Sequence, residues 1–483
     1  MGVRFVALAL TAVGLSASYG QEIRQTYCNP LPLPGYPRGV FAEDDAVSRR
    51  LKCPDLLSQH GAFREAGDPA VLVENGIWYL YVSGATDACW KSADGGASWE
   101  KTGFGMPEFA LGYAPAVVKF RNKFLLCSGW GSIDGAGTVY CGETPTGPFR
   151  KIGRLTPPRN DGAPECGDPM LFADDDGRLY FYWGTTPTKG IWGCELDPEN
   201  PTRAISPAKQ LVAYEPEKHP WEKFPDKPWG YVEGPFLFKR KGGYYLMFGA
   251  GGTEYPTYAT GVARAHSPLG PFVLQTNNPV LFSPKGVVTG TAHGSVIWDG
   301  LGDWWYFYTV HASIRHQFER RIGMDRLAFD ARGDIVAGSA TSEPQAVSGR
   351  PPVRWPAIDG VSHCAGAAFD RSLETEFVPQ ALPYEVEYAF RAPKTVRAMR
   401  AIWSDGGYAP VAGVSAGPVR YRLSLKPEKG AWTMAADFSG NEVDLLVDYR
   451  EIVPQRAVAA RLTVLNGPTG VTPRLVEWTL FGE

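Results

Sequence analysis

The chain carries almost no net charge: 48 Lys and Arg stand against 51 Asp and Glu over 483 residues, which leaves −3 at pH 7. Proteins that bind nucleic acids or anionic membranes usually show a basic patch and a high pI, whereas the pI here is about 6.2. We therefore expect no nucleic-acid partner, and the composition favours a neutral or weakly charged ligand.

Beyond the first twenty residues, no apolar run is long enough to cross a bilayer as a helix. Those twenty, MGVRFVALALTAVGLSASYG, join Arg4 to a short apolar core and small residues, which is typical of a secretory signal peptide cut near Gln21. We therefore predict a secreted or periplasmic protein with no membrane span. Residues 21–61 show little periodicity and several prolines, and are predicted to form an arm on the surface.

None of the eight cysteines has the CxxC spacing of a zinc site. Export would place them in an oxidising compartment, where they could pair. Cys127 and Cys141 lie on successive predicted strands, so a cross-strand disulfide is one interpretation and two buried thiols are the other.

Helical patterns are scarce, while 13% of the chain is aromatic and its 56 Gly and 41 Pro are spread along it, as expected for many short strands joined by turns. One hairpin pattern recurs five times without gaps, each copy with a strand, a polar or Gly-rich turn and a second, aromatic-rich strand. The copies are DPAVLVENGIWYLYVSG from Asp68, APAVVKFRNKFLLCSGW from Ala114, DPMLFADDDGRLYFYWG from Asp168, EGPFLFKRKGGYYLMFG from Glu233 and HGSVIWDGLGDWWYFYT from His293.

The copies start 46, 54, 65 and 60 residues apart, which leaves room for two further strands in each unit. Repeats of about 40 to 60 residues with four short strands are typical of β-propeller blades. We therefore predict an all-β fold: a five-bladed β-propeller over residues 62–345, a linker over 346–357 and a β-sandwich over 358–483, where alternating segments such as YEVEYAF and VRYRLSL occur.

The first residues of the five copies should ring one end of the propeller channel, because the first strand of each blade lines it. They are Asp68, Ala114, Asp168, Glu233 and His293. A purely structural ring would avoid like charges in a partly buried channel, so three acids in matching register indicate a functional site. Two separated carboxyls of different pKa are what glycosidic bond cleavage requires, and a third can orient the acid and hold its proton. Glu233, with the longest side chain and an apolar setting, suits the acid.

These segments resemble glycoside hydrolase family 43 over residues 62–345. The resemblance implies an inverting mechanism in which Asp68 is the general base, Asp168 orients and tunes the acid, and Glu233 is the general acid. It also implies that His293 lies below the sugar pocket and helps to hold a calcium or other cation through water, although no cofactor is required for the chemistry; a hydrogen-bonded buried histidine is the alternative. The matching motifs are AGDPAV at 66–71, YAPAVVKF at 113–120, GDPMLF at 167–172, VEGPFLFK at 232–239 and TAHGSV at 291–296.

Candidate substrate-binding residues come from the same resemblance and from aromatic positions. The segment FERRIGMDRLAFDARGDI, residues 318–335, is similar to the stretch in which an Arg reaches the subsite of the terminal sugar, and we choose Arg321 over Arg320. Three tryptophans end second strands or the loops after them and could stack on sugar faces, with packing inside the blades as the alternative. They are Trp90, Trp130 and Trp183.

Some residues depart from the family pattern. Tyr113 stands where the family commonly has Trp. The phrase SADGGASW, residues 92–99, resembles the Asp-box turn of sialidases, which is normally structural. Glu165-Cys166 resembles a motif of the invertase-like five-bladed hydrolases, but the opening motif of those enzymes is absent, and we interpret Glu165 as a loop residue.

The C-terminal region resembles the discoidin, or coagulation factor type C, galactose-binding-like sandwich. The similarity rests on FDRSLETEF at 369–377, Trp432, Ala460-Arg461 and VEWTLFG at 476–482. Such a module either binds sugar or braces the propeller, and both interpretations stay open.

We therefore expect a secreted, exo-acting, inverting glycoside hydrolase that removes terminal α-L-arabinofuranosyl units from a polysaccharide or oligosaccharide. A β-D-galactofuranosidase or a β-D-xylosidase on the same scaffold is the first alternative, and a carbohydrate-binding propeller without catalysis is the second. A sialidase would need a Tyr nucleophile and an arginine triad in the channel, where the repeat places acids instead.

Overall fold

The computed structural model describes residues 25–36, 66–84, 87–106, 109–132, 134–158, 162–187, 189–312, 320–336, 338, 340–404, 417–468 and 470–483. The predicted signal peptide and most of the predicted arm, including Cys53, lie outside these residues. Within them strands dominate, and the only helices are the 3-10 turns Pro220–Glu222 and Gly366–Ala368. No helix in this part of the chain is long and apolar enough to span a membrane.

After a short first strand, β1 (Thr26–Tyr27), five antiparallel sheets follow one another along the chain. The first holds β2 (Ala70–Glu74), β3 (Ile77–Tyr81), β4 (Ala88–Ser92) and β5 (Glu100–Gly103), and the second β6 (Ala116–Phe120), β7 (Lys123–Cys127), β8 (Thr138–Gly142) and β9 (Phe149–Arg154). The third holds β10 (Met170–Ala173), β11 (Leu179–Trp183), β13 (Ile191–Asp197), β14 (Asn200–Ala204) and β15 (Lys209–Val212). The fourth holds β12 (Thr185–Thr186), β16 (Tyr231–Arg240), β17 (Gly243–Gly251), β18 (Ala259–Ala265) and β19 (Val273–Leu274), and the fifth β20 (Thr289–Trp298), β21 (Trp304–His311) and β22 (Arg320–Leu327).

The five sheets close into a ring. The inner strands β2, β6, β10, β16 and β20 contact one another in that order, and β20 contacts β2. Five hydrophobic cores lie between successive sheets, each formed by side chains of two neighbours. Burial of these aromatic and aliphatic faces stabilises a ring of sheets that have no other layer to pack on. The predicted all-β fold is confirmed, and the ring of five sheets agrees with the predicted five-bladed propeller.

Residues 25–36 complete the outer side of blade five. Strand β1 pairs with β23 (Gln345–Ala346). Leu31 donates its N–H to the carbonyl of Ile322 in β22 at 2.7 Å, and Leu33 is fully buried. The described part of the predicted surface arm is therefore built into the propeller, where it supplies pairing that the three-stranded fifth sheet lacks.

The C-terminal region forms one six-stranded antiparallel sheet folded over a single core. The order is β24-β25-β28-β26-β27, and β29 pairs with the second half of β25. β25 and β28 are each 20 residues long and shift register midway; the first half of β25 is flanked by β24, and its second half is flanked by β29. This agrees with the predicted sandwich, while its discoidin-like relationship stays a prediction. The strands are β24 (Gly360–Val361), β25 (Tyr384–Trp403), β26 (Arg420–Lys426), β27 (Thr433–Phe438), β28 (Val447–Asn466) and β29 (Leu475–Gly482).

Candidate active site

The same backbone conformation occurs once in each of the five blades, just before the inner strand or, in blades four and five, within it. Asp68, Ala114, Asp168, Gly234 and His293 have φ angles between 46° and 58°. Non-glycine residues seldom adopt this left-handed region, so four such residues in equivalent places mark a feature that the surrounding fold imposes. The kinks direct these five residues toward one end of the central channel.

Glu233 lies one residue before this ring. The predicted alignment matched it with Asp68, but the residue with the equivalent backbone is Gly234. The strand pairing agrees, because the register of β16 shifts between Glu233 and Phe236. The predicted register was therefore wrong by one residue, and the position in blade one that matches Glu233 is Gly67.

The three predicted acids nevertheless meet in one pocket. Asp68, Asp168 and Glu233 line a cavity of about 550 Å³ together with His293 and Arg320. All three carboxyls are largely buried, with residue exposures of 4%, 9% and 7%. Further wall residues are Tyr113, Trp130, Glu165, Lys189, Tyr231 and Glu254.

Asp68 is held as an anion. Arg320 donates Nη1 to Oδ1 at 2.8 Å and Nη2 to Oδ2 at 2.9 Å, while the Ser83 hydroxyl donates to Oδ2. Burial alone raises the pKa of Asp68, but the positive charge of Arg320, the neighbouring His293 and these hydrogen bonds outweigh it and bring the pKa below its usual value. Asp68 is therefore ionised near neutral pH, as a general base must be.

Asp168 and Glu233 have the opposite tendency. Burial raises the pKa of Asp168 well above its usual value, and the charges of Glu233 and Asp68 raise it further. Burial, together with the charges of Glu254 and Asp68, raises the pKa of Glu233 to about 7 against hydrogen bonds that lower it. Since two nearby carboxyls in a dry site resist double ionisation, this pair retains a proton near neutral pH, which a general acid requires.

His293 packs between the two aspartates. Its Nδ1 lies 3.3 Å from Oδ1 of Asp68 and 3.8 Å from Oδ2 of Asp168. Burial lowers the pKa of His293, which favours the neutral ring. A Cβ on Gly234 would lie 2.5 Å from the imidazole, so the glycine makes room for it. Among the described residues no group of three or more His, Cys, Asp or Glu side chains is placed to hold a metal ion; a cation near His293, held through water, stays a prediction.

Arg320, not Arg321, reaches the pocket. The guanidinium carbon of Arg321 lies 4.0 Å from the centre of the Tyr36 ring, and its Nη1 donates to the Arg320 carbonyl at 2.7 Å. Successive residues of a strand point to opposite faces, so only one of the two arginines can enter. The choice of Arg321 is corrected to Arg320.

Of the three candidate tryptophans, only Trp130 lines the pocket, with 43% of its surface exposed. Trp90 and Trp183 are 0% exposed and belong to cores between blades. Their indole N–H groups donate to the carbonyls of Pro34 at 2.7 Å and Pro164 at 3.1 Å. The prediction that Trp90 and Trp183 stack on sugar is therefore wrong, and both have the alternative packing role.

Two residues that hold Glu233 were missed by sequence reasoning. The Tyr258 hydroxyl donates to Oε1 at 2.7 Å, and the Thr185 hydroxyl donates to Oε2 at 3.0 Å. Thr185 belongs to the two-residue strand β12, which pairs with β16 directly opposite Glu233. Neither residue lies at the start of a repeat copy, and no periodic signal marks either one.

Other sequence features have structural places. In the Asp-box turn, Asp94 accepts hydrogen bonds from Ser92 at 2.8 Å and from the N–H of Ser98 at 2.9 Å, which stabilise the outer hairpin. Glu165 lies on an exposed loop at the pocket wall. All seven described cysteines are free thiols. Cys127 and Cys141 face other residues across the β7–β8 pair, so the cross-strand disulfide is not formed. Of the two thiols, Cys127 is buried and Cys141 is partly exposed.

Comparison with known proteins agrees with this geometry. The family model of the glycosyl hydrolases family 43 matches residues 88–335, half of the chain. The chain belongs to glycosyl hydrolase family 43. Asp168 and Glu233 lie within the matched residues, and Asp68 precedes them. A solved structure, described as a thermostable family-43 glycoside hydrolase, is similar with a TM-score of 0.50 and 26% identity over 59% of this chain and 96% of its own.

Curated family 43 relatives carry different activities in their names. The chain is 31% identical over 217 residues to a β-D-galactofuranosidase of Aspergillus niger, which covers 44% of this chain and 58% of that protein. It is 29% identical over 208 residues to a xylosidase/arabinosidase of Butyrivibrio fibrisolvens, which covers 40% of this chain and 36% of that protein. The chain thus matches about a third to three fifths of the length of these relatives.

Proposed function

We propose that this family 43 protein is an exo-acting, inverting glycoside hydrolase that releases terminal α-L-arabinofuranosyl units. The observation that carries the proposal is the contrast, within one pocket, between an ionised carboxyl and a pair of carboxyls that retains a proton. Arg320 holds Asp68 ionised, whereas burial and neighbouring charges keep a proton on the pair formed by Asp168 and Glu233. Glycosidic cleavage needs one group of each kind.

The proposed chemistry assigns one proton transfer to each group. Glu233 gives its proton to the leaving oxygen as the bond between that oxygen and the anomeric carbon breaks. Asp68 accepts a proton from a water molecule, whose oxygen forms the new bond on the opposite face of the sugar, so the configuration inverts. Asp168 forms and breaks no bond to the sugar. Burial and the charge of Glu233 raise its pKa, so the pair formed by Asp168 and Glu233 retains one proton that is available to the leaving oxygen through Glu233.

The shape of the site supports action on chain ends. Asp68 and Asp168 lie just before the inner strands β2 and β10, and His293 lies within β20; all three line the cavity. The cavity volume of about 550 Å³ suits a terminal sugar and part of its neighbour. The product would then be a single sugar. Secretion, inferred from residues 1–20, is part of the proposal because it would bring the enzyme to a polysaccharide or oligosaccharide outside the cell.

A β-D-galactofuranosidase is the second candidate. The name of the Aspergillus niger relative favours it. α-L-Arabinofuranose and β-D-galactofuranose have the same configuration at every ring carbon and differ in the group on C4, which is CH₂OH in the first and CH(OH)CH₂OH in the second. A pocket that positions one ring can therefore position the other, and discrimination depends on space around the exocyclic carbon.

A screen on nitrophenyl α-L-arabinofuranoside, β-D-galactofuranoside and β-D-xyloside tests the proposal, with proton NMR of the first anomer released. We expect furanoside hydrolysis with inversion, and its loss in Asp68→Asn and Glu233→Gln. A retained anomer would contradict the inverting mechanism, and preference for the xyloside would contradict the furanoside assignment. Sugar binding without turnover would instead identify an inactive carbohydrate-binding propeller.

A further inference from the structure

The environment of the two Glu233 oxygens is asymmetric, and the asymmetry bears on which oxygen acts. Tyr258 approaches Oε1 from the protein interior, where it is fully buried, and its hydroxyl lies 2.7 Å away. Thr185 lies 3.0 Å from Oε2 and belongs to the pocket wall. Oε1 therefore faces the buried side of the site, and Oε2 faces the pocket.

The absence of a side chain at Gly249 in β17 makes the contact between Tyr258 and Glu233 possible. Gly249 is the residue that pairs with Glu233 across the β16–β17 ladder. A Cβ at Gly249 would lie 2.3 Å from the Tyr258 hydroxyl oxygen, which is far inside contact distance. The phenol of Tyr258 thus occupies the space that a side chain at Gly249 would fill. The backbone of Gly249 limits the position of the phenol on that side.

Proton counting then distinguishes the two oxygens. A phenol has one proton, and Glu233 Oε1 is the acceptor of the hydrogen bond that the Tyr258 hydroxyl makes. Burial and the nearby Glu233, Asp68 and Asp168 raise the pKa of Tyr258 well above its usual value, so the phenol keeps that proton throughout the working range. Because Oε1 accepts the hydrogen bond from Tyr258, the acidic proton of Glu233 cannot lie on Oε1 in the direction of the phenol.

We propose that Tyr258 is a positioning residue that reserves Oε1 of Glu233 as an acceptor and so makes Oε2, beside Thr185, the oxygen that gives its proton to the leaving group. The inference rests on the proposed role of Glu233 as general acid. Thr185 donates to Oε2 when Glu233 is ionised. When Oε2 carries the proton, the Thr185 hydroxyl can turn and accept it, because a hydroxyl both donates and accepts, whereas the phenol of Tyr258 keeps its donor toward Oε1. The incoming glycosidic oxygen then takes the place of Thr185 as the acceptor.

Tyr258 and Glu254, which lie on one turn, change the pKa of Glu233 in opposite directions. The hydrogen bond from Tyr258 lowers the pKa of Glu233, and the charge of Glu254 raises it. Asp68 also raises the pKa of Glu233, and the Thr185 hydrogen bond lowers it. The other charged or titratable groups that line the pocket around the acid are Asp168, His293, Arg320, Glu165 and Lys189.

Tyr258→Phe tests the inference, with a series of glycosides whose leaving groups run from methanol through nitrophenol to dinitrophenol. We expect kcat on the methyl glycoside to fall about tenfold or more, because proton donation to a poor leaving group is what the acid supplies. The dinitrophenyl glycoside should be almost unaffected, KM should change little, and the alkaline limb of the pH profile should move to higher pH. Glu254→Gln should move that limb to lower pH.

Tyr306→Phe is the matched control. This tyrosine is also buried, on β21, and its hydroxyl shares a 3.0 Å hydrogen bond with Thr260. Its loss should leave both the leaving-group dependence and the alkaline limb unchanged. An equal loss of kcat in Tyr258→Phe for every leaving group, or an unmoved alkaline limb, would show that Tyr258 is only structural.

Infrared difference spectra between mildly acidic and mildly alkaline solution test the contact without turnover, with Glu233→Gln identifying the carboxyl band. We expect Tyr258→Phe to shift the titration of this band to higher pH and to raise its C=O frequency, since Oε1 loses a donor. A band that is the same in both proteins would overturn the inference. Failure of the wild type to hydrolyse any glycoside, with the expected spectra, would contradict the proposed function and leave the oxygen assignment standing.

Discussion

Arg320 binds both carboxylate oxygens of Asp68, at 2.8 and 2.9 Å, from a side chain that is 1% exposed. Such a two-point contact fixes the plane of the carboxylate as well as its charge. The guanidinium in turn donates to Thr253 at 2.8 Å and faces the ring of Tyr113 at 5.5 Å. The pocket thus holds its anion in a fixed orientation before any substrate arrives.

Arg320→Met should raise the pKa of Asp68, because it removes the positive charge that offsets burial. The acidic limb of the kcat/KM profile should move to higher pH, and kcat should fall about 100-fold as the base loses its orientation. A pH profile on the best nitrophenyl glycoside measures both effects. Arg264→Met, which breaks an ion pair with Asp334 outside the pocket, is the control and should leave the profile in place. An acidic limb that stays where it is in Arg320→Met would contradict the role of this charge.

Gly67→Ala should disturb the ion pair between Arg320 and Asp68 without replacing either residue. A Cβ at Gly67 would lie 2.5 Å from the guanidinium carbon of Arg320, so the arginine must move away from Asp68. We expect a loss of kcat comparable to that of Arg320→Met, in a protein that still folds. Gly103→Ala in the same blade is the control, because nothing lies within 4 Å of its added Cβ and its φ is ordinary. Full activity in Gly67→Ala would show that the pair tolerates displacement.

Much of this architecture could be predicted from the sequence, because the propeller repeats one hairpin and repetition reveals register. Asp68 and Asp168 were placed correctly by that register alone. Glu233 was placed one residue off, since the bulge in β16 is a local departure that a gapless alignment cannot show. The three acids still converge. Glu233 lies one residue before the position that matches Asp68, and its longer side chain reaches the same pocket.

Residues outside the repeat were harder to predict. Arg320 and Arg321 are adjacent and both buried, and only the three-dimensional path of β22 decides which one enters the pocket. Trp183 ends the second strand of blade three and Trp130 follows the second strand of blade two, yet Trp183 packs inside a core and Trp130 faces the pocket. Tyr258 approaches Glu233 through the space left by Gly249, a relationship between residues that no spacing rule connects.

Asp168→Asn should abolish activity and yet stabilise the fold at alkaline pH. The pKa of Asp168 is raised in the folded state, so its contribution to stability is present at acidic pH and is lost as pH rises through the folded pKa. An amide keeps the shape and carries no charge that must be buried. We expect a gain of about 0.5–2 kcal/mol in unfolding free energy above pH 7 and no gain at low pH.

Thermal or urea unfolding of both proteins at several pH values measures this difference. Asp330→Asn is the comparison, because Asp330 has a pKa lowered by hydrogen bonds in a surface turn and should not stabilise the protein when it is neutralised. Equal stability of Asp168→Asn and the wild type at alkaline pH would mean that the site relieves the buried charge by other means.

The C-terminal sandwich contacts the propeller through residues of β25, β28 and β29, which favours the bracing interpretation. Arg400 donates to the carbonyl of Ser342, and Tyr449 shares a 2.9 Å hydrogen bond with Thr26. Arg400→Met should therefore lower the unfolding free energy of the whole chain by about 1–3 kcal/mol, because a partly buried carbonyl loses its charged donor. Differential scanning calorimetry measures the change, and Arg397→Met on the same strand, whose exposed partner is Glu483, is the control. An unchanged melting profile would contradict the bracing role.

Trp130→Ala and Trp183→Ala should separate binding from stability. Trp130 is 43% exposed on the pocket wall, so its loss removes a surface on which a sugar ring can stack, and KM should rise about tenfold with little change in kcat. Trp183 is 0% exposed and stacked on Phe181 with ring centroids 4.7 Å apart, so its loss should cost about 3–5 kcal/mol of folding free energy. Steady-state kinetics and urea unfolding on both variants measure the two effects. A KM unchanged in Trp130→Ala would mean that the sugar next to the cleaved bond lies against another wall of the pocket, where Tyr113 and Tyr231 are the other aromatic lining residues.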